Sequence, residues 1–338
     1  MLSSAPRAAV LCGLGSWTPP GIVTNEDLAA VLDTSDEWIR RKTGVVRRHI
    51  AAPGVATSEL AVEAGQRALK SAGVDTVDGL ILATTTPDRP CPATAPEVAA
   101  RLGLGPIAAF DVAAVCSGFI YALANGVGLI AAGIADRVLV IGAEVFSAIL
   151  NPCDRTTRVI FGDGSGAVVL RAGSAHDMGA IGPFTLGSDG CGSDLITVRA
   201  GGSRMPYGVD GSDKSDQYFT MQGQSVYRQA VAKMAESTAR VLELAEWPVS
   251  MVDWLVCHQA NQRIVISVAA RLGIPAARCL INIAEVGNTA AASIPLALAH
   301  GVECEALRPG DHVVLTAFGG GLTWGSTLLR WPEITCES

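Results

Sequence analysis

Short runs of apolar residues alternate along this chain with longer segments in which apolar residues recur at helical spacing. An apolar run of four to eight residues is typical of a strand buried on both faces, whereas an apolar stripe at helical spacing predicts an amphipathic helix. We predict strands at residues 79–83, 138–142, 254–257 and 313–317, and helices at residues 60–72, 116–129, 227–245 and 289–300. The apolar segment 8–14 is short and no A-x-A pattern follows it, so it predicts another strand rather than a signal peptide. Strands that alternate with helices indicate parallel sheets covered by helices.

The second half of the chain repeats the first, because three segments recur at one constant spacing, here called the repeat offset. The matched pairs are Val77-Asp-Gly-Leu-Ile-Leu with Val252-Asp-Trp-Leu-Val-Cys, Asp136-Arg-Val-Leu-Val-Ile with Asp311-His-Val-Val-Leu-Thr, and Ala122-Leu-Ala-Asn-Gly with Ala297-Leu-Ala-His-Gly. The distance along the chain from Val77 to Val252 defines this offset, and the other two pairs have the same value. A duplicated module with this element order predicts a five-layered α-β-α-β-α stack, built from halves 1–174 and 175–338. Helices that lie between two sheets must have few bulky side chains. The sequence supplies such small residues at Ala113, Ala114, Ser117, Gly118, Ala122 and 290–293.

The composition limits the function classes that remain. Apolar residues make up 49% and charged residues 17% of the chain, which excludes a disordered protein and fits a large buried core. The net charge is -7 and no run of five or six basic residues occurs, so nucleic acids and anionic membranes are poor partners for the surface as a whole. No apolar stretch is long enough to span a membrane. The nine cysteines form no CxxC or CxxH pattern, so we expect reduced thiols in the cytoplasm, without a disulfide framework or a metal site.

The duplication brings three polar residues towards one point. Cys116 lies where a predicted strand runs into a helix, and Asn288 lies at the matching helix start in the second half. Helix starts carry unpaired N–H groups and partial positive charge, so a thiol there is expected to have a lowered pKa and to act as a nucleophile. His258 directly follows the strand at 254–257, where α/β sheets bind ligands.

Each of these residues also has an ordinary structural explanation. Taken alone, Cys116 could be an inert buried thiol, His258 a core or capping residue, and Asn288 an N-cap. The Gly run 319–321 could form a tight turn or could bring backbone N–H groups to a thioester oxygen. The segment 163–166 has no Gly-Lys-Ser/Thr after it, so it predicts a turn near the site rather than a phosphate loop.

Six motifs in order resemble those of the β-ketoacyl-acyl carrier protein synthase III family, in the condensing branch of the thiolase-like enzymes. They are Thr34-Ser-Asp-Glu-Trp-Ile, Asp111-Val-Ala-Ala-Val-Cys-Ser-Gly, Phe161-Gly-Asp-Gly-Ser-Gly-Ala, His258-Gln-Ala-Asn-Gln-Arg, Gly287-Asn-Thr-Ala-Ala-Ala-Ser and Ala317-Phe-Gly-Gly-Gly-Leu-Thr-Trp-Gly. The resemblance runs from about residue 13 to residue 330. It implies the thiolase-like α/β fold, a homodimer, acyl-CoA and malonyl-acyl carrier protein as substrates, and no cofactor.

The resemblance also implies roles for individual residues. An acyl-CoA would load Cys116, and His258 and Asn288 would donate hydrogen bonds to the enolate that forms when the malonyl group loses CO2. Backbone N–H groups of Cys116 and Gly320 would hold the acyl oxygen, and Phe318 would favour the departure of CO2. Positions that match CoA contacts are Thr34, Trp38, Lys42, Arg155, Gln224 and Asn261, and positions that match a basic patch for the acidic carrier protein are Arg228, Arg263 and Arg271.

The sequence departs from the family pattern in three places. Lys42 stands where the family often has Arg, so it would contact the CoA phosphate as a point charge and not bidentately. Gln224 stands where Asn is common. Cys91 stands where the family often has a Phe that closes the partner subunit's acyl pocket, which predicts a deeper pocket and a starter longer or more branched than acetyl. Residues 200–214 resemble an inserted surface loop. A specialised role, such as priming a polyketide, stays open.

Other functions also stay open at this point. The same acyl-enzyme could pass its acyl group to an alcohol or an amine, although that transfer would not need Asn288. A non-catalytic partner subunit that only shapes a cavity would lack Cys116. A thiolase or an HMG-CoA-synthase-like enzyme is a further alternative, but a thiolase would need a second Cys near 322–326, where the sequence has none.

Overall fold

The computed structural model describes residues 7–208 and 213–337. Its strands are β1 (Ala8–Trp17), β2 (Ile22–Thr24), β3 (Arg47–His49), β4 (Gly79–Ala83), β5 (Ala108–Val112), β6 (Arg137–Glu144), β7 (Gly164–Gly173), β8 (Ile181–Ser188), β9 (Ile196–Val198), β10 (Phe219–Met221), β11 (Trp254–Cys257), β12 (His312–Gly319), β13 (Thr323–Arg330) and β14 (Cys336–Glu337). Its helices are α1 (Asn25–Ala29), α2 (Asp36–Thr43), α3 (Thr57–Ala72), α4 (Ala95–Arg101), α5 (Gly118–Ala131), α6 (Gly223–Leu244), α7 (Gln262–Leu272), α8 (Ile283–Val286) and α9 (Ser293–Glu303). The predicted strands and helices are present, with ends that differ by about one helical turn or less.

The two larger sheets are mixed rather than parallel. One has the strand order β14-β1-β7-β6-β4-β5 and the other has the order β11-β12-β13-β8. β4 pairs in parallel with β5 and β6, and β11 pairs in parallel with β12, as predicted. β7 and β13 are antiparallel to both of their neighbours, so the prediction of wholly parallel sheets is wrong. β13 directly follows β12 through a short turn, and so short a connection permits only antiparallel pairing.

The duplication is visible element by element. β4, α5 and β6 begin at residues 79, 118 and 137, and β11, α9 and β12 begin at residues 254, 293 and 312, so each pair of elements keeps the repeat offset. Two short turns also match: Val115–Ser117 before α5, here called the Cys116 turn, and Ala290–Ala292 before α9, here called the Ala291 turn. The fold class is therefore confirmed. The division into 1–174 and 175–338 stays a prediction. One strand crosses it, because β14, from the end of the chain, pairs with β1 in the first sheet.

The five layers follow from the packing of helices on the two sheets. α3 covers the outer face of the first sheet, α6 covers the outer face of the second, and α5 and α9 lie between the sheets. A Cβ added at Gly118 would lie 3.1 Å from Ala83 Cβ and 3.5 Å from Ala291 Cβ. The small residues of the central layer thus permit its close packing. Within the described ranges, no helix has both the length and the apolar character needed to cross a membrane.

The structure changes one of the two loop predictions and describes the other loop in part. Gly164 begins β7, so residues 163–166 lead into a strand and do not form a turn. The buried Asp163 carboxylate accepts hydrogen bonds from Ala51 N and Ser147 N, each at 2.8 Å, which fixes this strand entrance. In the predicted surface loop, Gly201 N donates to Met205 O at 2.8 Å. The tip of that loop, 209–212, lies outside the described residues.

Candidate active site

One small cavity contains the polar residues that the sequence singled out. Cys116, His258, Asn288 and Phe318 all line this cavity, whose volume is about 30 Å³. The exposed fractions of Cys116, His258 and Asn288 are only 9%, 1% and 4%. The remaining wall is apolar: Phe161, Ile196, Phe219, Met221, Val226, Ala230, Met234, Ala260 and Ile264. Charge that forms here is poorly screened by water, so nearby hydrogen-bond donors act on it strongly.

Cys116 is held in its turn by two hydroxyl groups. Ser117 Oγ donates to Ala114 O at 2.8 Å and lies 2.7 Å from Thr323 Oγ1. The Thr323 hydroxyl also lies 3.0 Å from Gly320 O, so it joins the Cys116 turn to the turn after β12. Burial, and then the Glu144 carboxylate, raise the pKa of Cys116. The expected lowering of this pKa is therefore wrong, because desolvation outweighs the backbone hydrogen bond that lowers it, and the thiol is the resting form.

His258 is a neutral imidazole with a defined tautomer. Burial lowers its pKa to about 3. Its Nδ1 lies 2.6 Å from Ser293 Oγ, which also accepts a hydrogen bond from Gln259 N at 3.3 Å. Nδ1 is the acceptor that these contacts offer to the Ser293 hydroxyl proton, so we assign the ring proton to Nε2. The imidazole can then donate a hydrogen bond without carrying a positive charge.

Asn288 combines a structural and a chemical capacity. Its main chain is fixed by bonds from Asn288 N to Ile160 O at 2.9 Å and from Gly162 N to Asn288 O at 3.0 Å. Its Oδ1 accepts from Ala290 N at 2.9 Å, at the beginning of the Ala291 turn. The oxygen therefore serves the turn, as the N-cap alternative required, while Nδ2 remains a donor on a cavity-lining side chain.

The Gly-rich turn after β12 lies against the Cys116 turn. A Cβ added at Gly319 would lie 2.8 Å from Cys116 N and 2.9 Å from Ser117 N, so only glycine leaves space beside the Cys116 N–H. Ser117 N already donates to Ala114 O at 3.1 Å. Gly320 and Thr323 follow in the same connection, and Phe318 precedes it with its ring at the cavity. The run 319–321 is thus both a turn between strands and a source of backbone groups beside Cys116.

Two of the predicted CoA contacts lie together on the surface. The guanidinium of Arg155 lies over the Trp38 ring, 5.4 Å from its centroid, and donates to Asp33 O at 2.6 Å. A flat ring inserted between them would need about 7 Å, twice a van der Waals contact. Arg155 would therefore have to move outwards to admit an adenine.

The other predicted binding residues have varied surroundings. Thr34 Oγ1 is buried without a hydrogen-bond partner among the described residues. The Asn261 side chain caps α7 through Arg263 N at 2.9 Å and donates to Lys42 O at 2.9 Å, so it also has a structural role. Gln224 and Lys42 are exposed, as are the gate residue Cys91 and the patch residues Arg228, Arg263 and Arg271. The Arg263 guanidinium lies 5.7 Å from the Tyr227 ring centroid.

Sequence reasoning missed a second, larger cavity. Its volume is about 710 Å³, and it shares Ile196 and Phe219 with the small cavity, while Val115 brings it next to Cys116. No sequence signal marks such apolar residues. Ser293 and Glu144 were missed as well. Ser293 closes the motif that contains Asn288, and the repeat offset matches Glu144 with Gly319, so both positions carried a signal.

Two family models for 3-oxoacyl-[acyl-carrier-protein] synthase III match segments of this sequence. One matches residues 110–190, which include Cys116, and the C-terminal model matches residues 242–331, which include His258 and Asn288. A curated relative, β-ketoacyl-[acyl-carrier-protein] synthase III 3 of Streptomyces coelicolor, is 62% identical over 330 residues, covering 97% of this chain and 98% of its own. The chain belongs to the β-ketoacyl-acyl carrier protein synthase III family. It is therefore an acyl-transferring condensing enzyme.

Solved structures agree with this family and fold. The 3-oxoacyl-(acyl carrier protein) synthase III of Pseudomonas aeruginosa PAO1 has a TM-score of 0.91 and 52% identity, covering 97% of this chain and all of its own. The priming β-ketosynthase of the R1128 polyketide pathway has a TM-score of 0.90 and 31% identity, covering 98% of each chain. The similarity therefore extends to an enzyme that primes a polyketide pathway.

Proposed function

We propose that the protein joins an acyl group from acyl-CoA to a malonyl unit on an acyl carrier protein, with loss of CO2. The observation that carries this proposal is the small, largely apolar cavity that Cys116, His258 and Asn288 line together. A nucleophile and two neutral hydrogen-bond donors are what a decarboxylative condensation requires.

The first half-reaction is acyl transfer to Cys116. The sulfur attacks the thioester carbonyl of acyl-CoA, and the carbonyl oxygen is held by the N–H groups of Cys116 and Gly320. The C–S bond to CoA breaks, and CoA leaves with the proton of the Cys116 thiol. Since burial raises the pKa of Cys116, this proton must leave the sulfur as the new bond forms.

The second half-reaction forms the carbon–carbon bond. The malonyl carboxylate leaves as CO2, and His258 Nε2–H and Asn288 Nδ2–H stabilise the enolate oxygen that results. The enolate carbon attacks the acyl carbon, and Cys116 leaves as a thiolate and takes up a proton. The apolar wall with Phe318 favours conversion of a charged carboxylate to neutral CO2. Each enolate donor is worth about 3 kcal/mol of activation free energy.

The larger cavity is our candidate for the acyl chain. It lies beside Cys116, and Val145, Ile149 and Val198 contribute apolar surface to it. With a volume of about 710 Å³ it offers more space than an acetyl group needs, which supports a longer or branched starter. Cys91 as the gate leaves more of this space open than Phe would.

We propose that the enzyme works as a homodimer in the cytoplasm without a bound cofactor. β5 is the last strand in its sheet order, with residues only half-buried or exposed, so its outer edge offers hydrogen bonds to a second copy. The loop with Cys91 precedes α4 and β5, which makes it a candidate to reach the partner's acyl cavity.

We further propose binding sites for the two substrates at the surface. Thr34, Trp38, Lys42, Arg155, Gln224 and Asn261 would bind CoA, with stacking on Trp38 as the main contribution. Arg228, Arg263 and Arg271, on α6 and α7, would attract the acidic carrier protein to an otherwise negative surface.

The test separates the two half-reactions. The protein is incubated with a panel of acyl-CoAs, and the mass of the Cys116 peptide is measured. Malonyl-acyl carrier protein is then added, and CO2 and the β-ketoacyl product are quantified. We expect acyl-Cys116 first and CO2 next, with neither in Cys116→Ala. Acyl-Cys116 without CO2, together with transfer to an added alcohol or amine, would replace this proposal with the simple acyltransferase.

A further inference from the structure

Glu144 is a buried acid that the proposed chemistry does not use. It is the last residue of β6, and its exposed fraction is 0%. Its carboxylate accepts hydrogen bonds from Thr85 N at 3.0 Å and from Thr86 Oγ1 at 2.8 Å. A longer bond of 3.5 Å runs from Ala291 N to Glu144 Oε1. In the described part of the chain, every hydrogen bond to this carboxylate comes from a neutral group, so pairing with a cation does not explain why an acid is placed there.

The internal duplication explains the position of this acid. The repeat offset makes Ala291 the equivalent of Cys116 and Gly319 the equivalent of Glu144. The two turns have the same unusual backbone, since Val115 and Ala290 have φ values of 47° and 44°. Each half of the molecule therefore presents the same helix start to the strand end of the other half.

The two helix starts differ in what covers them. At the Cys116 turn, Gly319 has no side chain, and a Cβ there would lie 2.8 Å from Cys116 N. At the Ala291 turn, the position equivalent to Gly319 is Glu144, whose carboxylate accepts a hydrogen bond from Ala291 N. The protein thus leaves one helix start uncovered for a substrate oxygen and covers the other with its own oxygen.

We propose that Glu144 is a positioning residue that holds the Ala291 turn, and through it Asn288, in place, and that its carboxyl group also controls the reactivity of the Cys116 thiol. This proposal rests on the proposed role of Cys116 as the nucleophile.

The contacts of Glu144 connect three parts of the site. Thr85 and Thr86 line the larger cavity. The Ala291 turn carries Ala290 N, which fixes the side-chain oxygen of Asn288. Loss of the carboxyl should therefore disturb the Asn288 side of the site more than the Cys116 turn, which has its own hydroxyl bridge.

The Ala291 turn, which Glu144 contacts, packs beside the Cys116 turn: a Cβ added at Gly118 would lie 3.5 Å from Ala291 Cβ. The charge of Glu144 therefore acts close to Cys116. After burial, the Glu144 carboxylate is the next cause that raises the pKa of Cys116, whereas a backbone hydrogen bond lowers it. A glutamine at 144 keeps an oxygen for Thr85 N and Ala291 N but removes the negative charge. The thiolate should then form at lower pH.

The experiment measures the thiol directly. Wild type and Glu144→Gln are treated with iodoacetamide across a range of pH, and alkylation of the Cys116 peptide is followed by mass spectrometry. We expect the two profiles to agree below about pH 7, where wild-type Glu144 is protonated, and the Glu144→Gln profile to lie at lower pH above it. A Cys116 pKa lower by one should make alkylation between pH 7 and that pKa about tenfold faster. Asp163→Asn is the matched control, because Asp163 is also buried and bonded to a hydroxyl and a backbone N–H. Its profile should follow wild type.

A second measurement tests the positioning role. In Glu144→Ala we expect CO2 release to fall more than acyl loading of Cys116, with recovery in Glu144→Gln. An unchanged alkylation profile in Glu144→Gln would overturn the control of the thiol, and an equal fall of both half-reactions would overturn the positioning role. If Glu144→Ala does not fold, the same comparison of half-reactions is made with Glu144→Asp, which keeps the charge on a shorter side chain. Failure of wild type to release CO2 would refute the proposed function and leave the alkylation result readable.

Discussion

At the scale of single residues, environment decides how each group can react. Cys116 is a thiol because burial and a neighbouring carboxylate disfavour its charge. His258 is neutral because burial lowers its pKa to about 3, and Ser293 presents its Nε2 proton as a donor. Asn288 gives its oxygen to the protein and keeps its nitrogen for the cavity. The hydrogen-bond donors of His258 and Asn288 are both neutral. Their bonds to the substrate oxygen strengthen as negative charge develops on it, so they stabilise the transition state more than the bound substrate.

Replacement of Asn288 should separate the two half-reactions. In Asn288→Ala we expect CO2 release to fall by about 100- to 1,000-fold, because one enolate donor is lost. Acyl loading of Cys116 does not use this donor and should change little. Stopped-flow CO2 detection and mass spectrometry of the acyl-enzyme measure the two rates, with the exposed Asn125→Ala as control. Equal losses in both rates would contradict the assigned role.

Two buried groups should make stability depend on pH in opposite directions. Burial raises the pKa of Glu144 from 4.5 to about 7, so folding takes up a proton and this stabilisation is lost as the pH rises through that range. Burial lowers the pKa of His258 from 6.5 to about 3, so stability is lost as the pH falls below about 6.5.

Glu144→Gln isolates the first of these effects. We expect the free energy of unfolding of wild type, relative to Glu144→Gln, to decrease by up to about 3 kcal/mol between pH 4.5 and 7. Urea titrations at several pH values measure this difference. A difference that stays constant over the range would mean that Glu144 binds no extra proton on folding.

At the scale of elements, the ends of strands and helices carry the chemistry. β11 ends before His258, β12 ends at Gly319, and α5 and α9 begin just after the two matching turns. The central layer keeps these ends close, since Gly118 allows α5 to approach Ala83 and Ala291. α2 serves a different purpose: its N-cap Ser35 accepts from Trp38 N and so fixes the turn that presents Trp38 at the surface.

Trp38 on α2 should contribute to CoA binding but not to the reactivity of Cys116. In Trp38→Ala we expect the Kd for CoA to increase by about tenfold, the value of one cation–π and stacking contact. Isothermal calorimetry measures the Kd, and iodoacetamide alkylation of Cys116 should be unchanged. Glu37→Ala, on the same helix and exposed, is the control. An unchanged Kd in Trp38→Ala would remove this helix from the proposed binding site.

At the scale of the whole molecule, the unpaired edge of β5 indicates where a second subunit would bind. Ala108 is exposed on this strand, whereas its inner edge is paired with β4. A charge brought into a continuous sheet between two copies would oppose their association.

We therefore expect a dimer that Ala108→Arg weakens. Sedimentation equilibrium should give about twice the chain mass of 34.8 kDa for wild type and a larger dissociation constant for Ala108→Arg. Ala132→Arg, after α5 and also exposed, should behave like wild type. A monomer at micromolar concentration in wild type would argue against this interface.

Cys91 should set the length of starter that the dimer accepts. In Cys91→Phe we expect the kcat/KM for longer acyl-CoAs to fall and that for acetyl-CoA to be retained, because a larger side chain would close the partner's cavity. Loading rates across an acyl-CoA series measure this, with Cys153→Phe as a control at another exposed cysteine. A strict preference of wild type for acetyl-CoA would end the idea of a deeper pocket.

The sequence by itself determined the duplication, the order of elements, the family and the three cavity residues, because these depend on local periodicity, on spacing and on motifs that lie within one loop. It also contained the pairing of Glu144 with Gly319, since the same repeat offset relates them. Only the tertiary structure decided that the sheets are mixed, that the pKa of Cys116 is raised, and that a second cavity lies beside the first. These properties depend on burial and on contacts between distant segments, and the local pattern of residues along a chain determines neither burial nor such contacts.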